Sequence, residues 1–225
     1  KTKEHLLGDY YVQEVSSMLP MMALKPEAGD FVLDLCASPG SKTTQAAAMM
    51  ENKGTIMANE INLGRIGILN SNLERCGVMN TIVTRKEGVA LCERLRSKSQ
   101  IRFDKILVDA PCSGEGTLRK SPKTFQMWNE NMIRKIARTQ GKLAVAAIKL
   151  LKVGGVMIYS TCTLAPEEDE MIVDFLVKNF DVEVEALRLP LKFREGVCEW
   201  GDCKMDDAVK NCLRLYPQDN DTDGF

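Results

Sequence analysis

The sequence predicts an α/β fold with a doubly wound, mostly parallel β-sheet. Short apolar segments rich in β-branched residues alternate with longer segments of helical periodicity along almost the whole chain, as in folds built from β-α-β units. In addition, 44% of the 225 residues are hydrophobic, which is enough for one domain with a large core. We therefore expect helices on both faces of a single central sheet.

Five segments have the composition of buried parallel strands, which are apolar on both faces. They are Phe31–Cys36, Gly54–Asn59, Thr81–Thr84, Asp104–Ala110 and Gly155–Ser160. The segment "DVEVEAL", Asp181–Leu187, offers a sixth strand. A seventh is expected where the chain stops on "DTDGF", so we expect the last strand to be incomplete.

Helical periodicity fills the intervals between these strands. The predicted helices are Ser41–Glu51, Asn62–Cys76, Val89–Ser97, Asn131–Lys152 and Glu167–Asn179, and Gly154-Gly155 is expected to end the fourth of them. Before the first strand, Val12–Leu24 predicts another helix, which ends at Lys25-Pro26 and covers one edge of the sheet. We therefore divide the chain into a helical segment, residues 1–30, packed on a main domain, residues 31–225.

Composition argues against several classes of protein. No apolar run approaches the ~20 residues that a membrane span requires, and the opening "KTKEHLLGDYY" lacks the apolar stretch of a signal peptide. We therefore expect a cytoplasmic protein with no membrane partner. Because eight cysteines are scattered over a charge-rich chain, free thiols are a better interpretation than a disulfide framework.

One segment could meet a polyanion, although 30 Lys and Arg against 31 Asp and Glu give a net charge of only −1. In Arg119–Lys135, basic residues surround two aromatic ones, and the candidate contacts are Arg119, Lys120, Lys123, Phe125 and Trp128. The alternative is a solvated loop and helix face that is basic without binding anything.

The segment after the first predicted strand has the features of a ligand-binding loop. In "CASPGSKTT", small residues let a ligand approach the backbone closely, and a proline stiffens the turn. The loop matches neither the GxGxxG of dinucleotide sites nor the GxxxxGK[ST] of P-loops, so a phosphate ligand is disfavoured. The candidate ligand contacts are Cys36, Ala37, Ser38, Pro39, Gly40, Ser41 and Lys42.

Acidic residues follow the second and third strands. Glu60 comes 26 positions (60 minus 34) after Asp34, where a carboxylate can reach the hydroxyls of a ribose. Glu87 stands where it could accept a hydrogen bond from an adenine amino group. Together with the small-residue loop, these acids fit an adenosine without phosphates, such as that of S-adenosylmethionine. The alternative for each residue alone is an ordinary acid at a helix N-terminus.

Two cysteines stand at predicted strand ends. Cys112 follows the fourth strand in "VDAPCSG" and Cys162 follows the fifth in "STCT", so adjacent strands could direct both thiols, with Asp109, into one crevice. The single histidine, His5, lies at the start of the chain, which argues against a Cys-His hydrolase.

Three further cysteines are expected to have structural roles. Cys76, Cys92 and Cys212 are assigned to inert positions in apolar surroundings. Cys198, Cys203 and Cys212 have no CxxC spacing and no obvious fourth ligand, so no metal is expected.

Four motifs occur in a fixed order along the chain: "LDLCASPGSKTTQ", "ANEINLGR", "FDKILVDAPCSGEGTLRK" and "GGVMIYSTCTLAPEEDE". With "GDYYVQEVSSMLP" before them, they resemble the Nop/Sun (NOL/NOP/Sun, Fmu-like) family of RNA (cytosine-5)-methyltransferases. The combination of DAPCSG with a later TC is the most specific part, because DNA cytosine methyltransferases use the cysteine of a Pro-Cys motif as nucleophile. The resemblance implies the seven-stranded, Rossmann-like fold of class I S-adenosylmethionine-dependent methyltransferases.

The resemblance also implies a role for each site residue. Cys162 is the nucleophile that adds to C6 of cytosine, and Cys112 assists product release. Asp109 acts at N3 of the ring, and Lys42 faces Asp109 or the target base. The implied cofactor is S-adenosylmethionine, and its implied contacts are Cys36–Lys42, Glu60, Arg65, Glu87 and Asp109. The basic and aromatic segment would then hold the RNA.

Three functions remain open at this point. The first is RNA cytosine-5 methylation by a monomer, with tRNA preferred over rRNA because a compact core without basic extensions is more typical of small archaeal or bacterial enzymes. The second is an RNA-binding or assembly factor that keeps the fold without the reaction. The third is a methyltransferase of the same fold that acts on a protein or a small molecule.

Overall fold

The computed structural model describes residues 2–225 and contains a central five-stranded sheet in the order β3-β2-β1-β4-β5. Strand β1 pairs in parallel with β2 and with β4, and β2 pairs in parallel with β3. The strands are β1 Phe31–Asp34, β2 Thr55–Asn59, β3 Thr81–Thr84, β4 Phe103–Asp109 and β5 Leu151–Ser160. The predicted α/β class with a parallel sheet is confirmed.

Helices connect these strands and continue to the end of the chain. They are α1 Lys3–Leu7, α2 Val15–Leu24, α3 Ser41–Met49, α4 Leu63–Arg75, α5 Gly88–Lys98, α6 Pro122–Met127, α7 Glu130–Ile148, α8 Glu170–Asn179 and α9 Pro217–Asn220. Side chains cap several of them: Asn62 Oδ1 accepts from Arg65 N at the start of α4, and Glu87 caps α5. In the described part of the chain, none of the helices has the length and apolar character needed to cross a membrane.

The chain forms two compact units. The first comprises the chain up to Asp109 together with Ala146–Tyr159, and it contains nearly all of the central sheet. The second comprises Ala110–Val145 and Ser160–Phe225. In the second unit, β6 Arg194–Glu195 pairs antiparallel with β9 Leu213–Arg214, and β7 Glu199–Trp200 pairs antiparallel with β8 Cys203–Lys204.

The centre of the sheet in the first unit is buried on both faces. Val32 and Leu33 are successive residues of β1, so their side chains point to opposite faces, and both are fully buried. On one face, Met21 and Leu24 of α2 pack in the same apolar cluster as Val32. Burial on both faces is the arrangement that a doubly wound fold requires.

The described residues contain five strands in the main sheet, not seven. Asp181–Leu187 has no regular strand structure, and its residues alternate between exposed and half-buried. The backbone oxygen of Val184 accepts from Asn211 Nδ2 at 2.9 Å, so its hydrogen-bond partner is a side chain and not the backbone of a neighbouring strand. At the end of the chain, Phe225 exchanges two backbone hydrogen bonds with Leu215 in the second unit.

The boundary between α7 and β5 also differs from the prediction. Helix α7 ends at Ile148 rather than Lys152, and Gly154-Gly155 lies inside β5. A Cβ atom at Gly155 would come within 2.9 Å of Asp104 O, and Lys152 Nζ lies 2.7 Å from Asp104 Oδ1. Glycine is therefore required by close approach of the backbone to β4, and not by helix termination.

The second unit is held by a buried ion pair. Arg214 forms a two-pronged contact with Glu170, in which Arg214 Nη2 lies 2.6 Å from Glu170 Oε2. Arg214 Nη1 also donates to Leu164 O at 3.0 Å, and Glu170 Oε1 accepts from Val197 N at 3.1 Å. Such a pair is costly to break, because the remaining charge would be left buried without a partner.

We expect Gly155→Ala to lower the free energy of unfolding by about 1–3 kcal/mol, because the added Cβ overlaps backbone atoms that cannot move away. Gly67→Ala is the matched control: it lies in α4, with no atom within 4 Å of the new Cβ, and should raise the same free energy by about 0.5–1 kcal/mol. Denaturant unfolding measures both. Equal effects of the two substitutions would contradict the close-approach explanation.

Candidate active site

The loop after β1 is fixed in place by α4. Arg65 Nη2 donates to Ser38 O at 2.6 Å, and Ser38 Oγ donates to Arg65 O at 3.0 Å. Asn72 Nδ2 donates to Pro39 O at 2.9 Å. Gly40 adopts φ +104°, where a Cβ would lie 2.9 Å from a methyl group of Leu69, so only glycine fits without strain. The predicted ligand loop is thus a preorganised turn.

Two carboxylates occupy the ends of β2 and β3, as predicted, and both already have partners. Glu60 is 4% exposed; its Oε2 lies 3.3 Å from Arg65 Nη1, and its Oε1 accepts from Asn62 N at 2.8 Å. Glu87 accepts from Val89 N and Ala90 N at the start of α5, so it is the N-cap of that helix. The adenine contact of Glu87 stays a prediction.

Lys42 and Asp109 form an ion pair. Lys42 Nζ lies 2.8 Å from Asp109 Oδ2, and Lys42 is only 7% exposed. Lys42 comes from the first turn of α3, whereas Asp109 is the last residue of β4. A buried ammonium group next to a carboxylate at a strand end can orient that carboxylate toward a ligand.

At the start of the ligand loop, Asp34 is buried and Cys36 is half-buried. Asp34 Oδ2 accepts from Thr43 Oγ1 at 2.7 Å, and burial raises the pKa of the Asp34 carboxyl to about 6. Burial, with the nearby carboxylates of Asp34, Asp109 and Glu60, also raises the pKa of the Cys36 thiol. Cys36 therefore stays protonated at neutral pH and does not act as a nucleophile.

In the second unit the two predicted thiols lie side by side. Cys112 Sγ is 3.2 Å from Cys162 Sγ, and neither cysteine forms a disulfide. The pKa of the Cys112 thiol is raised, first by this hydrogen bond and then by burial. Cys112 therefore keeps its proton at neutral pH and can donate it to Cys162 Sγ.

Further hydrogen bonds join the two cysteine-bearing loops. Ser113 Oγ and Thr163 Oγ1 are 2.6 Å apart, so the residues that follow the two cysteines are bonded to each other. Gly116 N donates to Cys162 O at 2.9 Å, and Ala110 N donates to Ser160 O at 2.9 Å. The two loops are thus joined by backbone as well as side-chain hydrogen bonds, which keep the two cysteines next to each other.

Comparison with known proteins identifies the family. A family model described as 16S rRNA methyltransferase RsmB/F matches residues 21–225. The chain belongs to this family. The resemblance to Nop/Sun RNA methyltransferases is therefore confirmed.

This chain covers different shares of the length of its individual relatives. A tRNA (cytosine(49)-C(5))-methyltransferase from Pyrococcus abyssi is 44% identical over 99% of this chain and 70% of the relative. A ribosomal RNA small subunit methyltransferase F from Pectobacterium carotovorum is 43% identical over the whole chain, which spans only 44% of that relative.

Solved structures agree with this assignment. A methyltransferase homolog from Pyrococcus horikoshii has a TM-score of 0.86 at 35% identity, over 99% of this chain and 68% of that one. NSun6 from the same organism, solved with SFG, has a TM-score of 0.79 at 32% identity, over 100% of this chain and 53% of that one.

The basic and aromatic segment of this RsmB/F chain is partly neutralised. Within the second unit, Arg119 pairs with Asp221 at 2.7 Å, and Lys120 pairs with Asp223 at 2.8 Å. Phe125, in α6, has 76% of its surface exposed. Two more predicted contacts, Lys123 and Trp128, are exposed as well, and Trp128 Nε1 donates to Glu115 Oε1.

The acidic residues that follow Cys162 were not predicted as site residues. Glu168 is fully buried and accepts from Ser113 N, and Asp169 Oδ1 accepts from Thr161 Oγ1 at 2.6 Å. Burial raises the pKa of both carboxyls. The sequence signal for these residues was "PEEDE", in which four consecutive acidic residues lie at the start of an apolar helix.

Two of the three cysteines assigned to structural roles, Cys92 and Cys212, have the surroundings expected of inert thiols, and the role of Cys76 stays a prediction. Cys92 is buried, while Cys76 and Cys212 are half-buried. Burial raises the pKa of Cys92 and of Cys212 to about 12. Among the described residues, no group of three or more His, Cys, Asp or Glu side chains is arranged to hold a metal ion.

The raised pKa of Asp34 predicts a pH dependence of stability. The unfolded chain ionises Asp34 near pH 4, whereas the folded protein holds the proton to about pH 6, so ionisation costs stability as the pH rises through this window. Asp34→Asn cannot ionise but keeps an oxygen for Thr43. We expect the free energy of unfolding of Asp34→Asn, relative to wild type, to increase by about 2–2.5 kcal/mol from pH 4 to pH 7.

Urea unfolding of both proteins at the two pH values measures this difference. Other titrating groups are common to both proteins and cancel. A difference between the two proteins that stays constant with pH would show that the Asp34 carboxyl is ionised in the fold without cost.

Proposed function

We propose that this chain transfers a methyl group from S-adenosylmethionine to C5 of a cytosine in RNA, through a covalent bond between Cys162 Sγ and C6 of the base. The observation that carries the proposal is the 3.2 Å separation of Cys112 Sγ and Cys162 Sγ. The alternative in which the fold is kept as a non-catalytic RNA-binding or assembly factor gives no reason for two thiols to be held in contact.

The cysteines can divide the reaction between them. Carbon 5 of cytosine is a poor nucleophile, and addition of the Cys162 thiolate to C6 moves electron density to C5, which then attacks the methyl carbon. The proton on C5 must leave before the C6–Sγ bond can break and release Cys162 as thiolate. We assign this last step to Cys112, as the base or as a group that assists it.

The raised pKa of Cys112 supports this order of events. While Cys162 is a thiol or thiolate, its hydrogen bond with Cys112 is the largest cause of the raised pKa of Cys112. Once Cys162 Sγ is bonded to C6 it is an uncharged thioether, and that cause disappears. Cys112 can then lose its proton to water more readily, and the resulting thiolate is the base that can take the C5 proton.

The first unit carries residues that suit S-adenosylmethionine. When bound, this cofactor supplies an electrophilic methyl group on a cationic sulfonium. The turn Cys36–Lys42 offers backbone donors and little side-chain bulk, and a carboxylate from Glu60 can accept from ribose hydroxyls. Arg65 holds both Ser38 O and Glu60, so it orders the two halves of this cradle. Glu87 is assigned to the adenine side.

Asp109 and Lys42 are assigned to the target base. As the Cys162 thiolate adds to C6, the proton that left the thiol is taken up at N3, and the Asp109 carboxylate accepts a hydrogen bond from that N3–H, which withdraws charge from the ring and lowers the barrier to addition. The Lys42 ammonium, 2.8 Å from Asp109 Oδ2, fixes the position of that carboxyl group. We propose that Lys42 acts through Asp109 in this way.

Substitution of each cysteine tests the division of roles. We expect Cys112→Ala to accumulate a protein–RNA adduct that survives a denaturing gel, because the addition proceeds and the release does not. Cys162→Ala should form no adduct and lose methylation. The measurement uses labelled RNA and S-adenosylmethionine, with gel shift for the adduct and tritium transfer for methylation.

Cys203→Ala, a half-buried cysteine of the second unit, is the matched control and should methylate without trapped adduct. If Cys112→Ala abolishes the adduct and Cys162→Ala traps it, the two roles are reversed. Normal methylation by both variants, or no engagement of RNA by any protein, would refute the enzymatic proposal.

The exposed aromatic face of α6 is our proposed RNA contact. Phe125 and Lys123 of α6 are both exposed, and an exposed ring can stack on an unpaired base for about 1–3 kcal/mol. We expect Phe125→Ala to raise the KM for RNA about five- to a hundredfold, with kcat and the affinity for S-adenosylmethionine unchanged. Phe175→Ala, which removes a 49% exposed ring from α8, is the matched control and should leave KM unchanged.

We propose tRNA as the preferred substrate. The proposal rests on the 44% identity to a relative named as a tRNA methyltransferase, of which this chain covers 70%. Incubation of the chain with equal amounts of a tRNA pool and small-subunit rRNA, followed by bisulfite sequencing, distinguishes the two. Modification confined to the rRNA would overturn the tRNA assignment and leave the chemistry intact.

A further inference from the structure

We propose that Glu168 is a positioning residue that holds the Cys112 loop (residues 110–116) against the Cys162 loop (residues 160–163) and so sets the separation of the two thiols. The inference rests on the proposed function only for its catalytic consequence. The positioning itself can be tested without RNA or methyl transfer.

The peptide groups on both sides of Cys112 are held by Glu168 and its partner Gln140. Glu168 Oε2 accepts from Ser113 N at 3.0 Å and from Gln140 Nε2 at 2.8 Å. Gln140 Nε2 also donates to Pro111 O at 3.0 Å. A rotation of the backbone at Cys112 would therefore break at least one of these bonds. Glu168 and Gln140 are both 0% exposed, so water cannot replace the lost partner.

The segment of chain that contains Glu168 also carries Cys162. Glu168 follows Cys162 by six residues (168 minus 162), and its neighbour Asp169 accepts from Thr161 Oγ1 at 2.6 Å. A contact made by Glu168 with Ser113 is therefore a contact between the segment that carries Cys162 and the loop that carries Cys112. Loss of this contact loosens the Cys112 loop at the peptide groups next to Cys112, while the hydrogen bonds of Ser113 with Thr163 and of Gly116 with Cys162 remain.

Burial of a carboxyl group is energetically unfavourable. Burial disfavours its charged form, and an apolar side chain of similar size would often stabilise the fold as well or better. What the carboxyl group provides, and an apolar group does not, is one oxygen that accepts from two donors at once. Glutamine also provides such an oxygen, so Glu168→Gln retains the positioning and Glu168→Ala does not.

The first measurement reports thiol separation directly. Diamide oxidises two adjacent thiols to a disulfide and is itself reduced to the hydrazine, and peptide mass analysis identifies the Cys112–Cys162 link. The proteins compared are wild type, Glu168→Ala, Glu168→Gln and the matched control Glu167→Ala. Glu167 belongs to the same acidic run, but its carboxyl accepts from Trp200 Nε1 at 2.9 Å, away from both cysteine loops.

We expect Glu168→Ala to form this link at least tenfold more slowly than wild type, and Glu168→Gln and Glu167→Ala to remain within about threefold of it. The second measurement is methyl transfer, in which Glu168→Ala should lose at least tenfold in kcat with the Kd for S-adenosylmethionine within twofold. Rescue by glutamine separates positioning from a general loss of structure. If Glu168→Ala does not fold, Gln140→Leu, which removes the donor to Pro111 O, takes its place with the same expectation.

The proposal is overturned if the disulfide forms in Glu168→Ala as fast as in wild type, or if Glu167→Ala slows it equally. A wild-type protein that methylates no RNA, combined with slow disulfide formation in Glu168→Ala, would refute the proposed function and leave the positioning role supported. The two failures are therefore distinguishable.

Discussion

Burial of the central sheet on both faces is the constraint on which the rest of the molecule depends. Because Val32 and Leu33 point to opposite faces and are both inaccessible to solvent, neither face at the centre of the sheet can offer a polar group to a ligand. The carboxyl ends of the strands are the places left for chemistry. Glu60 and Asp109 stand at such ends, and the small-residue turn after β1 has the same origin.

This constraint explains which features could be predicted from the sequence alone. Strands and strand-end residues are encoded locally, since an apolar β-branched run followed by a small or acidic residue identifies both the element and the direction of its ligand edge. The pairing of the thiols followed from this logic. The boundary between α7 and β5 did not, because Gly155 is required by the backbone of Asp104, about fifty residues earlier, and no local pattern reports such a contact.

The acidic run after Cys162 shows a second limit of prediction. Read locally, "PEEDE" is a solvated helix start with favourable dipole interactions. In the fold, Glu168, Asp169 and Glu170 each reach a different partner: the backbone of Ser113, the hydroxyl of Thr161 and the guanidinium of Arg214. Three acidic residues in succession thus have three different structural roles, and only the positions of their distant partners distinguish them.

The ion pairs of Arg119 and Lys120 have a consequence for the ionic-strength dependence of RNA affinity. A basic side chain that is free in solution releases condensed counterions from RNA when it neutralises a phosphate, which makes affinity fall steeply with salt. Arg119 and Lys120 must first leave Asp221 and Asp223, and the vacated carboxylates attract cations in turn. If this segment holds RNA as proposed, salt weakens the binding less than the number of its basic residues would indicate.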